Sequence, residues 1–194
     1  FDSEKGKSPE RECAIVITNK GKNGDYNWVV SNPKAYRAWF NQINAPFLAY
    51  NREERRASIF EMQKKFYNTV EEIPQEMERS SLQRVVQLLK RHRDVYFLKA
   101  GESNKPISVI ITTLVAQIGS EISPSIDFYA LFEHVVRELQ KYSKLQTLDG
   151  MSFAAVYHDK VRIMRSSNRW VIKSPVSDEN LAESWIEDPE KAKA

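Results

Sequence analysis

Apolar residues along this chain follow two periods, which predict a short β-hairpin at the start and helices after it. Cys13–Thr18 and Tyr26–Val30 are apolar runs rich in β-branched residues, which are typical of strands. The segment between them contains two glycines and suits a tight connection. Asn32 then stands at a helix N-cap position, with Pro33 at the first helical position.

Beyond the hairpin, most apolar residues lie three and four positions apart, the spacing of helices that bury one face. This pattern predicts helices over residues 33–44, 52–70, 75–97, 106–118 and 126–145. The helix over 75–97 is expected to bury a face made of Leu82, Val85, Val86 and Leu89. The segment after Pro106 is apolar nearly all round, which is typical of a core helix. In the tail the pattern predicts a second hairpin over 153–157 and 161–164, then a short helix that Asp178 caps and that ends near Trp185.

Composition places the chain among soluble globular proteins with one domain or two small ones. It has 194 residues, of which 41% are hydrophobic and 28% are charged. The formal net charge of +3 is too small to indicate a nucleic-acid-binding protein, but it is compatible with a small anionic ligand. No apolar run approaches the roughly 18 residues that span a bilayer, and no signal-peptide pattern is present. We therefore expect a cytoplasmic protein that does not contact a membrane.

Cysteine and histidine give no sign of a metal site. The single cysteine, Cys13, excludes an internal disulfide and is interpreted as a small core residue of a strand. The three histidines, at positions 92, 134 and 158, are too dispersed for metal-ligand spacing. The sequence begins with Phe1 and a loop-like run, which we interpret as the start of a piece of a longer protein.

Three stretches of this sequence, taken in order, are similar to one known family. The first is Trp28–Phe40, the second is Leu82–Asp94 (LQRVVQLLKRHRD) followed by Lys105–Thr113 (KPISVIITT), and the third is Ser174–Trp185. Together they resemble the C-terminal half of the bacterial cGAS/DncV-like nucleotidyltransferases (CD-NTases), the signal-making enzymes of the CBASS anti-phage systems.

The resemblance implies a fold of the α+β class that is mostly helical. Residues 1–32 would be the last strands of a nucleotidyltransferase sheet. Residues 33–194 would form a C-terminal helical domain of the poly(A) polymerase/oligoadenylate synthetase type. The intact enzyme would join nucleoside triphosphates into cyclic di- or trinucleotides in anti-phage defence, and CBASS accessory proteins are possible partners.

Nucleotidyl transfer in this superfamily needs a Gly-Ser turn and an Asp-x-Asp pair, joined by a third carboxylate, to hold two metal ions. The chain contains no Asp-x-Asp, and Gly119-Ser120 is not followed by one. We therefore assign no catalytic or metal-binding residue to this chain. The resemblance implies that the catalytic half, with its Mg²⁺ ions, precedes Phe1, and that this piece alone is inactive.

Two residues are implied by the resemblance to bind the triphosphate of a nucleotide. They are Lys90 on the central helix and Ser108 at the start of the next helix. An ammonium is a compact charge suited to phosphate, and a hydroxyl at a helix start adds a donor where backbone N–H groups already favour an anion. Judged without the resemblance, Lys90 would be a solvated lysine beside the core. Val109 stands where some relatives have an aromatic residue that stacks on the base.

Other functions stay open at the level of sequence. Two alternatives are a helical interaction module without nucleotide chemistry and part of an RNA-tailing nucleotidyltransferase, although the latter should carry a more basic surface. A protein kinase is excluded. His92-Arg93-Asp94 matches the start of the kinase catalytic loop, but Lys99 replaces the required asparagine and no glycine-rich loop precedes it.

Overall fold

The structure is a computed structural model, and it describes residues 14–20, 24–63, 78–101, 105–142, 162–166 and 169–187. The chain divides into two compact units, Phe1–Asn41 with Leu145–Ala194, and Gln42–Lys144. In the described residues helices predominate over a few short strands, as the α+β class predicts. The boundary predicted at residue 32 stays a prediction.

The first unit contains the predicted N-terminal hairpin. Strand β1 (Ile15–Lys20) pairs antiparallel with β2 (Tyr26–Ser31), with Val16 opposite Val30 and Thr18 opposite Trp28. The described side chains on the face shared by Val16, Thr18 and Trp28 are exposed, and Trp28 has 72% of its surface accessible. Two strands with an uncovered apolar face are marginal as a fold by themselves.

The same unit contains a second hairpin, which lies later in the chain than predicted. Strands β3 (Met164–Ser166) and β4 (Arg169–Val171) pair antiparallel, so of the strand predicted over 161–164 Met164 is confirmed, residues 162 and 163 are not in a strand, and residue 161 lies outside the described residues. The partner predicted over 153–157 lies outside the described residues. The side chain of Asn180 accepts from the Ile172 N–H and donates to the Trp170 carbonyl, which ties the following turn to β4.

The terminal helix begins later than predicted. Helix α5 is Ser184–Glu187, because residues 181–183 form a turn that Asn180 holds through its bond from the Ala182 N–H. The rings of Trp170 and Trp185 meet edge to face, with centroids 6.1 Å apart.

Helix α1 (Pro33–Gln63) is one continuous helix, so the two helices predicted over 33–44 and 52–70 are wrong as separate elements. It begins as predicted, since Asn32 Oδ1 accepts a hydrogen bond from the Ala35 N–H. Pro46 lies inside it. Phe47 and Asn44 beside the proline are buried, and this packing outweighs the loss of one helical hydrogen bond.

The second unit is built mainly from three more helices, α2 (Ser81–Ala100), α3 (Ser108–Gly119) and α4 (Phe128–Lys141). Helix α3 matches its prediction closely. Helix α2 begins at residue 81 and not at 75, because Ser80 and Gln83 form a capping box that fixes its first turn. Helix α4 begins at residue 128 and not at 126, because Asp127 accepts hydrogen bonds from the N–H groups of Tyr129 and Ala130.

The core of this unit lies where α2 packs against α3 and α4. Its fully buried apolar side chains include Leu82, Val85, Val115, Leu131 and Val135. The predicted face of α2 is confirmed at Leu82, Val85 and Val86, but Leu89 is only half-buried. None of the described helices is long and apolar enough to cross a membrane.

Candidate functional site

Lys90 lies in the middle of α2 and is half-buried. Burial lowers the pKa of its ammonium, and the positive charge of Arg93 lowers that pKa further. In the parts of the chain that the structure describes, no carboxylate forms an ion pair with Lys90. Lys90 is therefore a partly desolvated cation on α2.

Arg93 follows Lys90 by three residues, a separation that places both side chains on the same side of α2. Only 9% of Arg93 is exposed. Its Nη1 atom donates to the Pro106 carbonyl oxygen and to Ser108 Oγ, both at 2.9 Å. Its Nε and Nη2 atoms donate to Asp94 Oδ1 at 3.1 and 2.7 Å. The guanidinium thus joins α2 to the segment that opens α3.

Ser108 is the first residue of α3, and its side chain is exposed. The N-cap residue of α3 is Ile107, whose side chain makes no hydrogen bond to the N–H groups at the start of the helix. Since Ser108 Oγ accepts a hydrogen bond from Arg93, its own O–H remains available to donate to another group. Thr112 Oγ1 donates a hydrogen bond to the backbone carbonyl oxygen of Ser108 at 2.9 Å. This bond does not use the Ser108 hydroxyl.

Asp94 balances part of the charge at this place. Lys105 Nζ lies 3.2 Å from Asp94 Oδ1, the same oxygen that Arg93 contacts. The hydrogen bonds from Arg93, and secondly from Lys105, lower the pKa of the Asp94 carboxyl. Arg93 and Lys105 therefore share one carboxylate, and Lys90 adds a further positive charge next to Arg93, which leaves an excess of positive charge suited to an anion.

The structure links the two residues that the sequence singled out, Lys90 and Ser108, through Arg93. The charge of Arg93 acts on Lys90, and its guanidinium holds Ser108. Sequence reasoning missed Arg93 because it treated the residue only as part of a false kinase motif. Two features of the sequence could have indicated Arg93. It follows Lys90 by three residues, and its position around the helix is close to the buried face.

Two other features of the second unit do not resemble a phosphate site. Gly119 ends α3, and Ser120 Oγ donates to the Gln117 carbonyl oxygen, so this Gly-Ser pair closes a helix. An open cavity of about 500 Å³ lies along α4 beside Tyr129 and Arg137, but Arg137 already pairs with Glu133 at 2.6 Å.

The arrangement around Lys90 and Ser108 can bind an anion, and it offers an ammonium and a hydroxyl donor for that purpose. Among the described residues, no group of three or more His, Cys, Asp or Glu side chains could hold a metal ion. No metal-dependent step is therefore assigned to them.

Comparison with known proteins identifies one relevant relative. A c-di-GMP synthase from Roseivirga ehrenbergii is 28% identical to this chain over 167 residues. The match covers 84% of this chain and 35% of the relative, so the chain spans about a third of that protein's length. No family model matches the chain, and no solved structure gives a significant match. The relative confirms the resemblance to synthases of cyclic nucleotides that the sequence suggested.

Proposed function

We propose that this chain is the nucleotide-binding C-terminal part of a CD-NTase that joins nucleoside triphosphates into cyclic di- or trinucleotides for anti-phage defence. The observation that carries the proposal is the half-buried Lys90, which has no ion-pair partner among the described residues and stands three residues before Arg93, the side chain that holds the Ser108 hydroxyl. The similarity to a c-di-GMP synthase supports it, since such an enzyme acts on triphosphates.

In this proposal Lys90 and Ser108 bind oxygens of the triphosphate. The ammonium supplies a charge-assisted contact, which contributes roughly 1.5–3 kcal/mol, and the hydroxyl supplies a neutral one of about 1 kcal/mol. Bound phosphate would also balance the charge of Lys90, whose pKa is lowered by burial and by Arg93. A bound triphosphate would therefore favour the charged form of Lys90, and the charged form of Lys90 would favour triphosphate binding.

We further propose that the catalytic carboxylates and the Mg²⁺ ions belong to an N-terminal half of the intact protein. The exposed face of β1 and β2 supports this, because Val16, Tyr26 and Trp28 would be covered if further strands or helices packed on the hairpin. By itself the 194-residue chain should form no product from the four ribonucleoside triphosphates and magnesium.

The experiment compares substitutions at the proposed site in the full-length protein. Lys90→Ala should lower catalytic efficiency with nucleoside triphosphates about 10- to 150-fold, and Ser108→Ala should lower it about fivefold. Lys99→Ala is the matched control, because Lys99 is an exposed lysine on the same helix, and its efficiency should match the parent. Full efficiency of Lys90→Ala, with a normal melting curve, would contradict the proposal.

The products of the same reactions separate this proposal from the alternatives. Cyclic oligonucleotides support a CD-NTase, whereas extension of an added RNA would indicate an RNA-tailing nucleotidyltransferase. A non-catalytic interaction module is favoured by one observation, the 84% exposed Leu98 on α2. That alternative predicts that the full-length protein neither binds nor consumes nucleoside triphosphates.

A further inference from the structure

Among the described side chains near Lys90, Arg93 is the one whose N–H groups are mostly committed to other parts of the protein. It is buried, and it uses four of its five N–H groups in bonds to Asp94, Pro106 and Ser108. Those bonds leave the guanidinium little capacity to bind a ligand directly. Its contacts instead fix the position of other groups.

The first of these groups is the Ser108 hydroxyl. A hydroxyl without a fixed neighbour rotates and can present either its proton or its lone pairs. The Nη1 donor of Arg93 occupies the acceptor side of Ser108 Oγ at 2.9 Å, so the proton must point elsewhere. Ser108 is exposed, and its O–H is therefore directed as a donor towards solvent or towards a bound anion.

The second group is the start of α3. Arg93 holds the Pro106 carbonyl oxygen at 2.9 Å, two residues before the helix begins. Asp94 contacts the opposite edge of the guanidinium, so the plane of the guanidinium has one orientation. An arginine fixed on both sides sets the distance between α2, which carries Lys90, and Ser108 on α3.

We infer that Arg93 is a positioning residue for the bound triphosphate: it orients Ser108 as a hydrogen-bond donor and holds it at a fixed place relative to Lys90. The inference rests on the proposed function, since it names what aligns that site. Lysine cannot replace Arg93 in this role, because one ammonium cannot reach Asp94, Pro106 and Ser108 in a fork.

The test is a double-mutant cycle in the full-length protein, with inorganic tripolyphosphate as the probe and calorimetry as the measurement. Ser108→Ala and Arg93→Lys should each weaken binding about fivefold. The double variant should also lose about fivefold, because Arg93 acts through the hydroxyl that Ser108→Ala removes. Independent losses that multiply to about 25-fold would overturn the inference, and so would parental affinity of Arg93→Lys.

A pH profile reports the charge of Arg93 at Lys90 separately from its packing, because Arg93→Gln and Arg93→Lys both change the packing but only Arg93→Gln removes the charge. Arg93→Gln removes the positive charge beside Lys90, so the pH above which tripolyphosphate binding fades should move upward. Arg93→Lys keeps the charge and should leave that limit in place. Titration of the tripolyphosphate itself is common to all variants and cancels in the comparison. Equal profiles for Arg93→Gln and the parent would count against the inference.

The charges that face Lys90 from neighbouring elements are few. Arg93 is the charged group with an effect on its pKa, and Asp94 and Lys105 lie beyond Arg93. Helix α3 carries no charged residue. Helix α4 carries His134 and the two ion pairs Glu133–Arg137 and Glu138–Lys141. Among the described contacts of α1 with the start of α2, Asn44 and Asn51 are neutral, and the charged Arg52 pairs with Glu78 just before that helix.

Two controls keep the outcomes distinct. If the parent protein does not bind tripolyphosphate, or if Lys90→Ala binds it as well as the parent, the proposed function fails, whatever Arg93 does. If Lys90→Ala weakens binding but the Arg93 and Ser108 effects are independent, this inference alone fails. Should Arg93→Lys unfold, Asp94→Asn replaces it, since this change frees the guanidinium on one edge. Asp94→Asn should weaken tripolyphosphate binding in the parent protein but not in the Ser108→Ala background. A loss of affinity that persists in the Ser108→Ala background would overturn the inference.

Discussion

Gly119, the last residue of α3, lies directly against the side chain of Leu82 on α2, so closely that a Cβ atom at position 119 would be 2.7 Å from Leu82 Cδ1. Leu82 has no exposed surface and cannot move aside easily. Gly119→Ala should therefore cost about 1–3 kcal/mol of unfolding free energy through overpacking. That exceeds the roughly 0.5–1 kcal/mol that alanine gains over glycine in a helix.

Thermal and denaturant unfolding of Gly119→Ala measure this cost. The double variant Gly119→Ala with Leu82→Ala is the control, because a shortened residue 82 makes room for the new methyl group. Its loss should be smaller than the sum of the two single losses. A Gly119→Ala protein as stable as the parent would mean that the two helices are not in contact there.

Ser80 should matter more than an ordinary helix cap. Its hydroxyl accepts from the Gln83 N–H and donates to Asn44 Oδ1 of α1, and all of its surface is buried. Ser80→Ala should lose about 0.5–2 kcal/mol for the cap and a further amount of about 1–3 kcal/mol for the orphaned Asn44 oxygen. Chemical denaturation checks this sum. Ser58→Ala, at an exposed serine of α1, should change stability by less than about 0.5 kcal/mol.

Two leucines of the second unit form a matched pair for testing its core. Leu131 on α4 is fully buried, whereas Leu98 on α2 is 84% exposed. Leu131→Ala should cost about 2–5 kcal/mol, and Leu98→Ala should stay within about 0.5 kcal/mol of the parent. The measurement is the urea midpoint of each variant at an unchanged slope. Similar midpoints for the two variants would contradict the packing of α4 against α2.

Anion binding at Lys90 should weaken at a lower pH than binding at an exposed lysine would. Lys90 is charged below its pKa, and burial and then Arg93 lower that pKa from the usual value of lysine. Affinity for tripolyphosphate should therefore fall as pH rises through this lowered pKa. Titrations at increasing pH, with Lys90→Arg as a control that stays charged throughout, would test it. Identical profiles for the two proteins would argue against Lys90 as the titrating group.

The free energy of unfolding should decrease at acidic pH because of Asp94. The hydrogen bonds from Arg93 and Lys105 lower the pKa of this carboxyl in the folded protein. Its contribution is thus present above the unfolded pKa of aspartate and is lost as pH falls through the folded one. Asp94→Asn should flatten this part of the stability profile measured by denaturant unfolding. A variant whose profile keeps the parent's slope in that range would show that Asp94 is not responsible.

The elements that sequence predicted best are those whose signal is local. Helix α3 matched because its residues are apolar nearly all round, and the first hairpin matched because two β-branched runs flank a glycine-containing turn. The start of α2 is also indicated locally, since Ser80 and Gln83 have the spacing of a capping box.

The features that the sequence does not predict are those that depend on contacts between residues far apart in the chain. Pro46 is a helix breaker by local rules, and only the burial of Asn44 and Phe47 explains why α1 continues through it. Lys90 and Ser108 were singled out by resemblance, but nothing local indicates that Arg93 reaches residue 108, because that contact exists only when α2 and α3 pack together. An arginine next to an aspartate is otherwise typical of a solvated surface.

The exposed Trp28 of β2 gives this molecule a natural optical reporter. Trp28 has 72% of its surface in contact with solvent, while Trp170 and Trp185 have 8% each; the fourth tryptophan, Trp39, is half-buried on α1 and is replaced by phenylalanine for this measurement. Emission from Trp28 should therefore be red-shifted and open to quenching by iodide, whereas the buried pair emits at shorter wavelength and is shielded. A polypeptide that covers the hairpin would move this one component towards the blue. Fluorescence can thus report, without any added dye, when the face of β1 and β2 becomes covered.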